Sequence, residues 1–260
     1  MNLLTFDTGT DAMSIAVART VDGRVQQWQH SGAGGAQASS TLIPAVLDVL
    51  RQAGLRLDAL DAIGFGSGPG SFTGLRTACS VAQGLAFGAD VPVLPVDSLL
   101  AVAEEARVSG WAVQPRGVVT ALLDARMDEL YVATYAFADG QWSEVQDSCL
   151  VRPEDVLAHL QALQRSVPML AESPPWALAG NVFAEYGDRL GLADSAWGAA
   201  PRIAALTTAA AMLRLAPQLL AAGHAVAAQQ ALPRYIRDKV AKTTLERAAE
   251  KAAALAATGQ

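Results

Sequence analysis

The sequence predicts an α/β fold, and three observations carry that reading. Residues 62–86 run from an apolar stretch through Gly66-Ser67-Gly68-Pro69-Gly70-Ser71-Phe72-Thr73-Gly74 into Leu75, Ala78, Cys79, Ala82, Leu85 and Ala86, the order strand, glycine loop, helix. Before them, three short apolar runs alternate with turn signals, as antiparallel strands do. Residues 6–15 and 123–132 then share one pattern (apolar strand, Asp, short turn, second strand) at a constant offset of 117 residues. Taken alone, the repeat is compatible with coincidence, because an acid is common in hairpin turns.

Each element has a local reason. Residues 3–7 form an apolar run ending in Asp7-Thr8-Gly9-Thr10, and residues 13–18 resume it as the second arm of a hairpin. Asp22-Gly23 makes the next turn, with residues 25–30 as a third strand. A Gly- and Ser-rich stretch, 31–40, leads into a helix over 42–52, with Pro44 near its start or kinking it. Residues 91–96 read as a buried strand whose two prolines place it at an edge. Asp97 or Ser98 can cap a helix to about residue 108. Residues 110–116 mark the boundary between a first domain, 1–109, and a second, 110–240.

In the second part, residues 118–137 give a hairpin, Asp139-Gly140 a turn and residues 141–151 another strand. Pro153-Glu154-Asp155 opens a helix, with a proline and two acids in the first turn. A strand at 176–178, a turn at Gly180-Asn181 and helices to about residue 229 follow, and Pro233-Arg234-Tyr235-Ile236-Arg237 reads as extended. Thr243-Thr244-Leu245-Glu246 has the form of a capping box before an Ala-rich tail, 241–260.

Composition narrows the function classes. The 260 residues are 52% hydrophobic and 17% charged, which is a globular composition able to bury a sizeable core. A net charge of −6 argues against a broad nucleic-acid surface, since phosphate contacts need clustered Lys and Arg. Cys79 and Cys149 suggest neither a disulfide framework nor a metal cluster, and they fit a reducing compartment. The first seven residues lack the basic region of a secretory signal. The apolar stretch 204–231 is broken by Arg214, Pro217, His224 and Gln229-Gln230 before the ~18 residues of a membrane span accumulate. A cytoplasmic location without membrane attachment is expected.

Two helices stand out for lacking a polar face. The first has Leu42, Ile43, Ala45, Val46, Leu47, Val49 and Leu50, and the second Leu75, Ala78, Cys79, Val81, Ala82, Leu85, Ala86 and Phe87. A helix apolar on nearly all sides is covered on more than one side. The cover is either the second half of the chain or another protein.

The glycine loop could cradle a phosphate at the helix N-terminus, or it could be a tight turn that seats the helix on the sheet. No Lys follows Gly74, so the Walker pattern fails, and G-x-G-x-x-G is never completed. The wording of the loop is more specific. Gly68-Pro69-Gly70-Ser71-Phe72-Thr73-Gly74-Leu75-Arg76, with Gln83-Gly84-Leu85-Ala86, resembles the signature of the bacterial TsaB (YeaZ) family. Phe6-Asp7-Thr8, Leu123-Asp124-Ala125-Arg126-Met127 and Tyr235-Ile236-Arg237 resemble it too, so the likeness covers about residues 1–240.

That resemblance implies two lobes of the actin and hexokinase (ASKHA) superfamily, each a mixed sheet flanked by helices. It implies a non-catalytic accessory subunit that binds a TsaD-like transferase, joined by a TsaE-like ATPase, in forming threonylcarbamoyladenosine at adenosine 37 of tRNAs reading ANN codons. The tRNA would be reached only through the complex. Leu42, Ala45, Val46, Val49, Leu75, Ala78, Val81, Ala82 and Leu85 would form the interface, and the same helices could instead pair two copies of this chain.

An actin-like ATPase would hold phosphates at Asp7-Thr8-Gly9-Thr10, but Asp124-Ala125-Arg126-Met127 lacks the glycine the facing loop needs, so the clamp reads as vestigial. Asp7 can also serve its own turn. The competing class is an independent ATPase or small-molecule kinase using Asp7 and residues 68–74. His30, His159 and His224 never fall in the paired spacing that TsaD-like transferases use for metal. Ser71 is a plausible N-cap, and no base can be named to make it a nucleophile. Some relatives carry a His-Thr pair where the first apolar helix begins, whereas this chain has Ala38-Ser39-Ser40-Thr41.

Overall fold

The computed structural model describes residues 1–111, 116–167 and 175–237. The first sheet holds β1 (Asn2–Asp7), β2 (Ala12–Val21), β3 (Arg24–Ala33), β4 (Ala62–Gly68) and β5 (Val93–Asp97) in the order β3-β2-β1-β4-β5. The first three are antiparallel neighbours, while β4 and β5 run parallel to β1. Pro95 is tolerated within β5 because β5 is at an edge, and Pro92 lies just before the strand.

The second sheet repeats this plan with β6 (Arg116–Asp124), β7 (Leu130–Ala138), β8 (Gln141–Val151), β9 (Trp176–Gly180) and β10 (Arg202–Ala204), ordered β10-β9-β6-β7-β8. Again three antiparallel strands are extended by two parallel ones. The repeat is therefore structural. Asp7 and Asp124 each end the first strand of a hairpin, but Asp7 pairs with Ser14 and Asp124 with Leu130, so the offset of 117 holds on the first strands and drops to 116 on the second. Asp22-Gly23 and Asp139-Gly140 turn with both residues at positive φ, as two-residue hairpin loops require.

Alternation along the strands sorts the helices into layers. Leu4, Phe6, Ile15 and Val17 face α1 (Ala38–Gln52) and α2 (Phe72–Ala89). Leu3, Ala16, Ala62 and Val96 point the other way, onto α3 (Ser98–Ser109) and a late helix, here α6 (Ala209–Ala221). That helical layer also meets Val119, Ala121, Ala133 and Ala177 of the second sheet, making one continuous core. The far face of the second sheet is covered by α4 (Val156–Ser166) and the short α5 (Phe183–Tyr186), with Leu122, Val132, Leu160 and Tyr186 between them.

The middle layer qualifies the expected boundary at 109/110. α3 and α6 both lie between the sheets, and a 3-10 turn, Ala228–Gln230, packs Ala228 and Ala231 back against α2. Neither half is closed by a contiguous stretch. Where the sequence predicts helices to about residue 229, the chain inserts β10, a three-residue strand preceded by Pro201, and ends α6 at Ala221. α1 begins at Ala38, four residues before its expected start, with Pro44 inside it. The expected capping box and tail, 241–260, lie outside the described residues.

A buried ionic cluster ties the middle layer together. Glu104 of α3 is 3% exposed and accepts from Arg107 (2.8 and 3.0 Å), Arg214 of α6 (2.8 Å) and the Trp142 indole of β8 (2.9 Å). No described helix is long and apolar enough to cross a membrane.

Candidate functional site

The two hairpin turns face each other across a cleft of about 330 Å³. Residues 9–11 and 69–72 line it from the first lobe, residues 123–127 from the second, and residues 234–237 also contribute to its wall. This is where a phosphate-binding protein of such architecture would hold its ligand.

Asp7 and Thr8 of the first loop do not line the cleft. Asp7 and Thr8 are fully buried. Asp7 Oδ1 accepts from the Gly9 amide at 3.0 Å, so Asp7 does stabilise its own turn. Its Oδ2 has no hydrogen-bond partner among the described residues, and a Cβ on Gly66 would collide with it. Burial pushes the Asp7 carboxyl up to about 7, the Gly9 bond opposing that only in part.

The glycine loop is hydrogen-bonded directly to the first turn. Ser71 N–H donates to the Gly9 carbonyl at 2.7 Å, and the Thr8 hydroxyl donates to the Gly74 carbonyl at 2.7 Å. A Cβ on Gly74 would strike the Thr8 carbonyl, which explains this glycine as a close approach of helix to turn. The Ser71 hydroxyl accepts from the Gly74 amide at 3.2 Å, the expected N-cap. Pro69 and Gly68 are buried, while Phe72, Thr73 and Arg76 are exposed. Arg76 lies 3.9 Å from the Phe72 ring centroid.

On the facing side the charges are paired within the chain. Its Arg126 reaches Asp11 at 2.9 Å and Asp124 at 3.3 Å, Arg234 pairs with Asp97 and Asp147, and Arg237 pairs with Glu129. These cleft arginines already have carboxylate partners, so no surplus positive charge is offered to a phosphate. His30 is on β3, His159 on α4 and His224 beyond α6, with His159 Nε2 2.9 Å from Gln146 Oε1.

Most of the residues that the resemblance assigned to an interface are buried within this chain. Leu42, Val46, Val49, Leu75, Ala78 and Ala82 are at most 1% exposed and pack in the lobe's own core. Ala45, Val81 and Leu85 are half-buried. The six buried side chains therefore cannot carry an interface themselves. The exposed large apolar side chains of these helices are Ile43 and Leu47, one turn apart on α1, and Phe72 and Phe87 on α2, exposed by 44%, 48%, 36% and 78%, with Phe72 packed against Tyr235 and Arg76. Of the two covers the sequence left open, the later part of the chain supplies one: Cys79 and Gln83 of α2 donate to the Ala231 carbonyl of the returning chain, while the sheet takes another side of the helix.

Duplicated five-stranded sheets in this strand order, with helices between them and a cleft at the paired hairpin turns, define the actin and hexokinase class of two-lobed α/β proteins. The chain matches a family model described as TsaD, tRNA N6-adenosine threonylcarbamoyltransferase, over residues 34–245. It is 34% identical to the tRNA threonylcarbamoyladenosine biosynthesis protein TsaB of Escherichia coli K12, over 93% of this chain and 96% of that one. A crystal structure from Pseudomonas aeruginosa, of an uncharacterized protein similar to peptidase YEAZ, superposes with a TM-score of 0.74 at 35% identity, covering 91% of this chain and 99% of that one. A second Pseudomonas aeruginosa structure, of YeaZ, gives 0.71 at 35% identity, covering 90% and 99%. The chain belongs to the TsaB family.

Proposed function

We propose that this chain is the non-catalytic accessory subunit of a complex that forms threonylcarbamoyladenosine at adenosine 37 of tRNAs reading ANN codons. A TsaD-like transferase carries the chemistry, and a TsaE-like ATPase joins the assembly. The observation that carries the reading is the near full-length match to TsaB proteins. The direct hydrogen bonds between the glycine loop and the first turn, with the scattered histidines, support a chain without transferase chemistry of its own, although the matching family model bears a transferase's name.

The partner docks on the outer faces of α1 and α2, where Ile43, Leu47 and Phe87 leave apolar area in water. Covering such area is favourable at roughly 25 cal/mol per Å² before the costs of association. If the chain binds the active arrangement of the transferase in preference to others, it raises that population without touching the reacting atoms. A second copy of this chain could use the same face when the partner is absent. The test is to mix the purified chain with a TsaD-like transferase from the same cell and to follow mass by light scattering alongside tRNA modification. A heterodimer with stimulated modification is expected. No complex and no stimulation would remove the accessory reading.

A further inference from the structure

Residues 234–237 form part of the cleft wall and contact both lobes. The Arg234 amide donates to the Ser67 carbonyl at the end of β4, at 2.7 Å. Its guanidinium reaches Asp97 of the first sheet at 3.2 Å and also pairs with Asp147 of β8 in the second. Tyr235 lies against Phe72, ring centroids 5.3 Å apart, and its hydroxyl accepts from Arg76 at 3.1 Å. Arg237 pairs with Glu129 and donates to the Arg126 carbonyl at 3.2 Å. Its side chain is 13% exposed and that of Glu129 34%, so the pair is partly shielded from solvent.

The turn that Arg237 holds is unusual. Arg126, Met127 and Asp128 have φ of 59°, 56° and 63°, three consecutive side-chain-bearing residues in the left-handed region. Such residues visit that region at a cost and singly, so a run of three needs outside support. Asp124 Oδ1 accepts from the Arg126 amide at 2.8 Å, Ala125 N–H donates to Glu129 O at 2.9 Å, and Glu129 N–H donates to Arg126 O at 3.2 Å. Arg237 adds a second donor to that same Arg126 carbonyl.

We infer that residues 233–237 are a built-in clamp that bridges the lobes where a bound ligand would otherwise bridge them, with Arg237 as the positioning residue for the turn at 126–128. The carboxylates that the clamp engages come from both sheets, and they balance its charge within the chain. The lobes are thus held without nucleotide. The inference stands apart from the accessory role and would hold for a chain of any function.

Amide hydrogen exchange of the full-length chain tests it. In Arg237→Ala the Ala125 and Glu129 amides should exchange roughly ten- to a hundredfold faster, the range expected for losing a charged hydrogen bond. Amides of the distant β2–β3 pairing should not change, which separates local release from unfolding. Glu129→Gln keeps an acceptor but removes the charge, and should shift the same amides in the same direction by less. It decides the matter if Arg237→Ala does not fold. Unchanged exchange at 125 and 129 would overturn the clamp. So would added protection of these amides in the native chain by Mg-ATP, because a ligand and not the strap would then be joining the lobes.

Discussion

Replacing Asp7 by Asn should make the protein less sensitive to pH, in a direction opposite to ordinary acid denaturation. Asp7 is completely buried, keeps one hydrogen bond from Gly9, and has its carboxyl raised from 3.8 to about 7 by desolvation. A folded-state value above the unfolded one means that the native chain binds the extra proton between those limits. Through this group, stability is therefore greatest below the unfolded value and falls as pH rises toward 7. The slope is about 1.4 kcal/mol per pH unit, for a total on the order of 4 kcal/mol once both states are ionised. Asn cannot ionise, retains an acceptor for the Gly9 amide and has nearly the same shape. Urea unfolding of both proteins from pH 5 to 8 gives the difference between them, which cancels the other titrating groups. Asp7→Asn should gain on the native chain steadily up to about pH 7 and then level off. A difference that stays constant across the range would refute the assignment of Asp7 as a sealed, protonatable group.

Two further substitutions probe the core. Glu104→Ala leaves Arg107 without its carboxylate, Arg214 with Glu105 alone and the Trp142 indole without its acceptor, and should cost about 3 kcal/mol in urea unfolding, the low end for a broken buried pair because these arginines remain 25% and 28% exposed. Val46→Asp puts a charge at a position with 0% exposure and should unfold the first lobe, seen as lost circular dichroism, rather than selectively abolish partner binding.

Local chemistry was legible in the sequence where both partners are close along the chain. The Ser71 and Asp97 caps act three residues on, the Asp-Gly turns are closed by their own backbone angles, and Asp7 bonds an amide two residues away. The repeat was visible for the same reason, because each hairpin encodes itself. Its architecture came from resemblance and from topology, since nothing in a strand's pattern says which other strands it joins. The faces of α1 and α2 could not be assigned, because apolar residues on all sides do not distinguish a sheet from a partner. Leu42 and Leu47 look alike in sequence, yet one is buried and the other half exposed.

Long-range polar contacts gave the weakest signal. Glu104 and Arg107 form an i, i+3 pair that could have been noticed, but Trp142 and Arg214 are 38 and 110 residues from Glu104. The clamp is similar: Arg234 meets Asp97 across 137 residues and Arg237 meets Glu129 across 108. Resemblance marked Tyr235-Ile236-Arg237 without saying what it touches.

The most direct test of the accessory role is the affinity of this chain for a TsaD-like transferase after Leu47→Asp and, separately, Phe87→Asp. Both side chains are exposed, so the monomer should keep its unfolding midpoint. An apolar anchor at the centre of an interface is worth about 2 kcal/mol or more, so each change should weaken the heterodimer roughly 30-fold or more and reduce tRNA modification with it. Undiminished affinity in both variants, with the fold intact, would contradict the assignment of this face as the docking surface.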